Sequence, residues 1–274
     1  MGAAVLKQRL VSEWGGPWEW QARPEPETIS TGIPEIDAAT GGGLPRGCLT
    51  EIIGPASSGR ASLLASILAQ ATARQEACAL VDAEDQFDPT SAAAAGVELA
   101  RLLWVRCEHN AEHALKAADL LIQGGGFGMI ALDFGDTPAQ TVRYVPLQVW
   151  FRFRRAVEST PTILVVLEQE SNAKTCASLV LHLGMREARW SHAVESPGKI
   201  LLSHAPGTLF EGSQLYAEMI RSRAKREGNQ LLQQGGIFSM RMDDAGADFE
   251  IEPAEIRLRA PATSRDLQGG PGRR

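Results

Sequence analysis

Cysteine is scarce and scattered in this sequence. The four cysteines, Cys48, Cys78, Cys107 and Cys176, form no C-x-x-C pair. Their spacing therefore argues against a zinc knuckle and against a disulfide framework. We expect them to be small buried side chains of a protein that resides in a reducing compartment.

Long apolar runs and an excess of basic charge are also missing. No apolar run reaches the roughly 18 residues of a membrane span, and the stretch MGAAVLKQRLVSEW lacks the apolar region of a signal peptide. The net charge is −6, so no global positive field attracts nucleic acid, and a DNA site has to be local. We expect a cytoplasmic protein with no membrane partner.

Composition divides the chain into three parts. We predict that residues 1–28 form an appendage that begins with a short amphipathic helix. Trp14, Trp18 and Trp20 in this appendage pack either on a partner or on the protein's own core. Residues 29–241 predict the folded core. Residues 242–274 begin with an acidic segment and end in a tail that we expect to be disordered.

Strand-like and helix-like segments alternate from residue 29 onward. Continuous apolar strands are predicted at 48–54, 77–83, 102–107, 129–134 and 162–169, and helices at 61–75, 91–101, 110–122 and 139–158. Segments 178–190, 199–205 and 215–223 alternate apolar and polar residues, as antiparallel edge strands do. The pattern predicts an α/β fold, with a mostly parallel sheet, helices on both faces and antiparallel edge strands.

The segment GPASSGRAS lies between a predicted strand and a predicted helix. It consists of Gly54, Pro55, Ala56, Ser57, Ser58, Gly59, Arg60, Ala61 and Ser62. Its glycines have the spacing of the phosphate-binding motif G-x-x-x-x-G-K-[ST], and the strand–loop–helix context fits that motif. Backbone amides in such a loop form an anion-binding nest. The alternative is an ordinary strand–helix turn.

Two positions of this loop depart from the motif. Arg60 replaces the lysine that contacts the β- and γ-phosphates, and Ala61 replaces the Ser or Thr whose hydroxyl holds Mg²⁺. Arginine keeps the charge but is longer and planar, so it contacts phosphate with a different geometry. By analogy with the loss of one preorganised donor, each change costs roughly 2.7–4 kcal/mol of transition-state stabilisation. Turnover is therefore predicted to be very slow.

Three segments in order resemble the bacterial recombinase RecA. They are ISTGIPEIDAATGGGLPRG (29–47), GPASSGRAS and VDAEDQFDP (81–89). The pattern D-A-E-x-x-x-D-P is the most specific of the three, and the resemblance covers about residues 29–240. It fails at the lysine and threonine of the loop, and the sequence stops short of RecA's C-terminal domain.

The resemblance implies ATP and Mg²⁺ as cofactors and a role for several residues. Glu84 matches the glutamate that activates the attacking water, and Asp133 matches the residue that holds Mg²⁺ through water. Gln169 matches the glutamine that senses the γ-phosphate. Arg221 and Arg223 resemble a lysine pair that contacts the nucleotide of a neighbouring subunit.

Each of these positions also has a simpler explanation. Asp133 at a strand end is a plausible helix N-cap. Glu84 has acidic neighbours, and this pattern also suits an acidic turn that is exposed to solvent. Arg221 and Arg223 alternate on a strand and equally suit a solvated face.

The DNA loops of RecA fall at about 135–146 and 170–178 here. They offer Arg143, Tyr144 and Lys174 as contacts to single-stranded DNA. One positive charge in each loop is a small charge for binding the phosphate backbone of DNA. The helix VWFRFRRAVE (149–158) either packs its aromatics inside or presents a basic aromatic surface.

Two functions from different classes remain. The first is a short RecA paralogue of the ImuA type, an accessory protein of damage-induced (SOS) translesion synthesis that hydrolyses little ATP. Its partners would be RecA, translesion polymerase subunits or single-stranded DNA, with self-assembly into an oligomer or filament. The second is an enzyme, a DNA-dependent ATPase and strand-exchange recombinase. A third alternative is a regulatory ATPase of the clock-protein or archaeal type, but the sequence VDAEDQFDP (81–89) fits that type less well.

Overall fold

The computed structural model describes residues 26–190, 210–223 and 236–241. Most of the predicted appendage, the strand at 199–205, the acidic segment and the tail lie outside these residues. The three-part division of the chain therefore stays a prediction.

Strands and helices alternate through the described residues, as expected for an α/β fold. The strands are β1 (Thr28–Ile29), β2 (Leu44–Pro45), β3 (Leu49–Ile53), β4 (Cys78–Asp82), β5 (Leu102–Arg106), β6 (Met129–Asp133), β7 (Ile163–Glu168), β8 (Leu179–Trp190), β9 (Phe210–Ser222) and β10 (Gly236–Arg241). The α-helices are α1 (Pro34–Thr40), α2 (Arg60–Ala73), α3 (Pro89–Ala94), α4 (Ala111–Gly124), α5 (Ala139–Arg143) and α6 (Leu147–Val157). Short 3₁₀ helices span Leu99–Arg101 and Lys174–Cys176.

An eight-stranded sheet organises the protein. Its strand order is β10-β9-β8-β3-β7-β6-β4-β5, and β1 pairs with β2 separately. The six strands from β8 to β5 run parallel, whereas β9 is antiparallel to both β8 and β10. This topology confirms the predicted mostly parallel sheet with antiparallel strands at one edge.

Apolar side chains form a core on each face of this sheet. One core packs α2, through residues such as Leu63 and Ile67, against alternate strand residues such as Leu80. The other core packs α4 and α6 against the opposite strand residues, with Trp150 and Phe153 fully buried. Because both faces are covered, the central strands are apolar at most positions, and the buried Glu51 of β3 and Glu168 of β7 are exceptions.

Three predicted elements differ from the structure. The helix predicted at 139–158 is two helices, because Pro146 disfavours the helical conformation of the residue before it. The helix predicted at 91–101 ends at Ala94, before Gly96 with its positive φ of 93°. Strand β8 is not an edge strand, since it pairs in parallel with β3 and antiparallel with β9.

The cysteines are free thiols, and three of the four are buried, as expected. Cys78, Cys107 and Cys176 are buried, and Cys48 is partly buried. Burial raises the pKa of Cys78 to about 12, so this thiol stays protonated and unreactive. None of the described helices combines the length and the apolar character that a membrane span requires.

Candidate functional site

Four neighbouring parallel strands deliver the predicted site residues to one edge of the sheet. In the order β3, β7, β6 and β4, the strands lead into the 54–62 loop, Gln169, Asp133 and Glu84. Ligands of open α/β sheets bind outside the carboxyl ends of the strands. The fold thus brings these predicted residues to the edge where a ligand would bind.

The 54–62 loop has the backbone form that its glycines predict. Gly59 has a φ of 87° and forms the N-cap of α2. A Cβ atom there would lie 2.3 Å from Cδ1 of Leu215, and a Cβ atom on Gly54 would lie 2.4 Å from the carbonyl oxygen of Leu183. Strands β8 and β9 therefore press so closely on the loop that only glycine fits both positions.

The concave side of the loop is suited to an anion. The first turn of α2 leaves its amide groups without intrahelical acceptors, and the helix dipole favours negative charge there. Oγ of Ser58 and Nη1 of Arg60 are both buried and have no hydrogen-bond partner among the described residues. Pro55, Ala56 and Ser57 are exposed at the outer side of the loop. A phosphate group would satisfy these free donors.

Arg60 turns inward, which the sequence did not predict. Only 7% of the residue is exposed, and Nη2 donates to the carbonyl oxygen of Gly135 over 2.9 Å. Burial lowers the pKa of Arg60 below its ordinary value, while the charges of Asp133 and Asp136 oppose that shift. The guanidinium is thus fixed to the segment that follows β6.

Asp133 is held by the same segment. Its Oδ1 accepts a hydrogen bond from the amide of Gly135 over 2.7 Å. Burial raises the pKa of Asp133 to about 6, an effect that Asp82 adds to and Arg60 opposes. The alternative role as a helix N-cap is wrong, since Pro138 occupies the N-cap of α5.

The donors around Asp133 do not fit a magnesium ion. Magnesium demands oxygen ligands in near-ideal octahedral geometry. Ala61 brings no oxygen, and the carboxylate of Asp133 lies beside the cationic guanidinium of Arg60. Within residues 26–190 and 210–223, no group of three His, Cys, Asp or Glu side chains is arranged to hold a metal. The predicted magnesium contact through Asp133 thus lacks support in this geometry.

Both carboxylate oxygens of Glu84 are engaged by neighbouring side chains. Oε1 accepts from Oγ1 of Thr137, and Oε2 lies against Nδ1 of His109, each over 2.8 Å. The side chain is only 17% exposed, so Glu84 is not part of a solvated acidic turn. Each of these oxygens has a second lone pair, so Glu84 is held in place by its neighbours and can still accept from a water molecule.

The other acids of the segment 81–89 hold its backbone. Asp82 accepts from the amides of Gln86 and Phe87 and from the indole of Trp104. Asp88 caps α3 by accepting from the amides of residues 90 and 91. Asp85 accepts from Arg106 and from the amide of Glu108. These contacts give the acidic pattern a structural cause, and Glu84 is the acid that contacts Thr137 of the segment after β6.

Gln169 joins the segment after β6 as well. Its Nε2 donates to the carbonyl oxygens of Gly135, over 3.3 Å, and Thr137, over 3.2 Å. Residues 135–137, which we call the hub segment, therefore contact the loop through Arg60, the strand end of β7 through Gln169 and Glu84 through Thr137. Sequence reasoning missed the hub segment and His109, because these contacts join residues far apart in the chain.

Arg221 and Arg223 bind their own chain in this structure. The Arg221 guanidinium donates to the carbonyl of Lys174, and that of Arg223 donates to the carbonyl of Thr175. Their predicted contact with a neighbouring subunit's nucleotide is untested. Among the predicted DNA contacts, the side chains of Arg143, Tyr144 and Lys174 are exposed.

Two buried glutamates anchor the loop after β7. Glu51 on β3 accepts from Oγ of Ser171, over 2.7 Å, and from the amides of Asn172 and Ala173. Glu168 on β7 accepts from the amide and side chain of Asn172, while its Oε1 has no partner among the described residues. Burial, with the nearby Glu51 charge, raises the pKa of Glu168 to about 8. Both acids interrupt apolar strands, which was a sequence signal for this pair.

The aromatic helix α6 packs inward. Trp150 and Phe153 are fully buried, whereas Phe151 is 47% exposed and Arg152 pairs with Asp119 over 3.0 Å. The packing interpretation of this helix is thus confirmed for its two buried aromatic residues.

Comparison with known proteins first identifies the class of fold. The crystal structure of the RadB recombinase superposes with a TM-score of 0.56, covering 80% of this chain and 98% of that chain at 16% sequence identity. At that identity, the match shows a shared fold.

Sequence matches then point to a particular family. Residues 19–139 match the RecA N-terminal domain. Protein RecA of Rhodospirillum rubrum is 44% identical over 108 residues, which are 39% of this chain and 29% of that protein. Protein RecA of Deinococcus radiodurans is 40% identical over 114 residues, 41% of this chain and 31% of that protein. The chain thus spans less than a third of these relatives' length, and the matches support a relationship to the RecA-type family.

Proposed function

We propose that the chain is a RecA-like accessory protein of DNA repair that binds ATP at the 54–62 loop and hydrolyses it very slowly. The observation that carries the proposal is the position of Arg60. Its Nη2 is bonded to the carbonyl oxygen of Gly135, so this guanidinium is not free to follow a transferring phosphoryl group as the motif's lysine does.

The contacts of Glu84 do not decide between fast and slow hydrolysis. Thr137 and His109 each contact one of its carboxylate oxygens. Each oxygen has a second lone pair, which can accept a hydrogen bond from a water molecule. The slow hydrolysis proposed here therefore rests on Arg60 and Ala61.

An accessory protein acts by binding other molecules. We propose RecA or translesion polymerase subunits as protein partners in the cytoplasm, reached through the tryptophan-rich and acidic terminal segments. Single-stranded DNA would contact the exposed side chains of Arg143, Tyr144 and Lys174. In an oligomer or filament, Arg221 and Arg223 would contact a neighbouring subunit's nucleotide through guanidinium donors other than those bonded to the carbonyls of residues 174 and 175.

A second candidate function is an active DNA-dependent ATPase and strand-exchange recombinase. It is favoured by the convergence of the 54–62 loop, Gln169, Asp133 and Glu84 on one sheet edge. The solved neighbour is itself a recombinase by name. Arg60 and Ala61 oppose this alternative.

Steady-state ATP hydrolysis, measured with and without single-stranded DNA, separates the two functions. The accessory proposal expects turnover at the background of a protein-free control, unchanged by DNA. Turnover that rises with DNA, accompanied by strand exchange between homologous duplexes, would establish the recombinase instead.

A further inference from the structure

The 54–62 loop contains its own fixed cation. Arg60 is 7% exposed, and its guanidinium keeps one nitrogen, Nη1, buried and without a partner among the described residues. Oγ of Ser58, in the same loop, is likewise buried and unpartnered. The loop thus carries two free donors where it leads into α2, a helix whose dipole also favours an anion at its first turn.

The guanidinium of Arg60 lies near the carboxylate of Asp133. Cζ of Arg60 lies 3.3 Å, and Oδ1 of Asp133 lies 2.9 Å, from the point where a Cβ atom of Gly135 would be. The two groups are therefore close enough for their charges to interact. A divalent ion beside Asp133 would be repelled by the guanidinium and would find no oxygen on Ala61.

We infer that this loop binds a nucleoside triphosphate without a divalent cation, because Arg60 supplies the positive charge that a metal ion would otherwise supply. The inference rests on the ATP binding of the proposed function and deepens it. A guanidinium stays charged at every physiological pH and carries five donors, of which the hub segment takes one. The remaining donors suit the planar, two-point recognition of phosphate oxygens.

The test is equilibrium titration of the full chain with a fluorescent ATP analogue, in buffer with Mg²⁺ and in buffer with EDTA. For the natural chain we expect dissociation constants that agree within about threefold, a difference below 1 kcal/mol. The variant Arg60→Lys, Ala61→Thr restores the ammonium and hydroxyl of the motif. Its affinity is expected to fall at least about tenfold when EDTA replaces Mg²⁺.

The chain offers a matched control at the other end of the same helix. Ala73→Thr with Arg74→Lys makes the same two changes in reverse order, on exposed residues outside the loop. This variant is expected to bind like the natural chain in both buffers. Circular dichroism of all three proteins checks that they fold. The comparison of Mg²⁺ with EDTA for the natural chain does not depend on whether either variant folds.

The outcomes separate the inference from the proposal beneath it. Binding that requires Mg²⁺ in the natural chain overturns the inference and leaves ATP binding intact. Absence of binding in both buffers overturns the inference together with the ATP-binding part of the proposed function.

Discussion

Glu168→Gln is expected to stabilise the protein at alkaline pH. The carboxyl group of Glu168 is buried beside that of Glu51, and its pKa is raised from its ordinary value of 4.5 to about 8. A raised pKa means that the folded state holds the proton more tightly than the unfolded chain does. The contribution of Glu168 to stability is therefore complete below pH 4.5 and is lost as the pH rises to about 8.

The size of the effect follows from the same values. Each tenfold difference in proton affinity is worth about 1.4 kcal/mol. Burial beside a second carboxylate thus costs the folded state on the order of 5 kcal/mol once Glu168 is ionised. Glutamine remains neutral, and its amide oxygen can still accept from the backbone and side chain of Asn172.

The assay is urea denaturation of the natural chain and the variant at several pH values between 4.5 and 9, a range that spans the Glu168 transition. The free energy of unfolding of the natural chain should fall relative to that of Glu168→Gln across this range. Both proteins contain the same other titrating groups, such as Asp133, so the contributions of these groups cancel when the two free energies of unfolding are subtracted. Equal pH dependence of the two proteins would refute the buried-proton argument.

Glu51→Gln serves as the contrasting control. The Glu51 carboxylate accepts hydrogen bonds from Ser171 and from the amides of residues 172 and 173. A glutamine can keep its oxygen on the two backbone amides, but its NH₂ group then faces the Ser171 hydroxyl, which has to accept instead of donate. Because hydrogen bonds to a charged group are replaced by neutral ones, this variant should lose about 1 kcal/mol even at pH 5, where Glu168 is protonated.

Two further predictions concern packing. Phe153→Ala should cost about 3–5 kcal/mol of unfolding free energy, whereas Phe151→Ala, at a residue 47% exposed, should stay within about 0.5 kcal/mol. Similar losses by urea denaturation would contradict the inward packing of α6. Gly59→Ala and Gly96→Ala both force a side chain to φ near 90°, but the added Cβ meets Leu215 at 2.3 Å only in the first. Gly59→Ala should therefore lose about 1–3 kcal/mol more of unfolding free energy than Gly96→Ala and melt at a lower temperature. Equal melting temperatures of the two variants would count against the close contact.

Much of the fold was predictable because the parallel strands are apolar at most of their positions. The segment MIALD, for example, is buried at four of its five positions in β6, and such runs indicate a strand covered on both faces. The break before α6 was also available in the sequence, since Pro146 disfavours helix in the preceding residue. The strand β8 was assigned to an edge because its alternating pattern does not reveal how many neighbours it has.

The site was predictable only at the level of strand ends. Glu84, Asp133 and Gln169 were assigned to the site through the resemblance to RecA, and their positions at or just after the ends of parallel strands explain why they lie at one edge. The inward turn of Arg60 was not predictable, because residue type does not fix side-chain direction when the partner is a carbonyl group 75 positions away. The same holds for His109, whose contact with Glu84 spans 25 positions.

The most direct test of the altered loop compares ATP hydrolysis by the natural chain and by Arg60→Lys, Ala61→Thr under the same conditions. The account predicts background turnover for the natural chain and a gain in the variant, on the scale of the 10²–10³-fold that one preorganised donor contributes. Rapid, DNA-stimulated hydrolysis by the natural chain, reduced or unchanged in the variant, would contradict the account and make Arg60 a working replacement for the lysine.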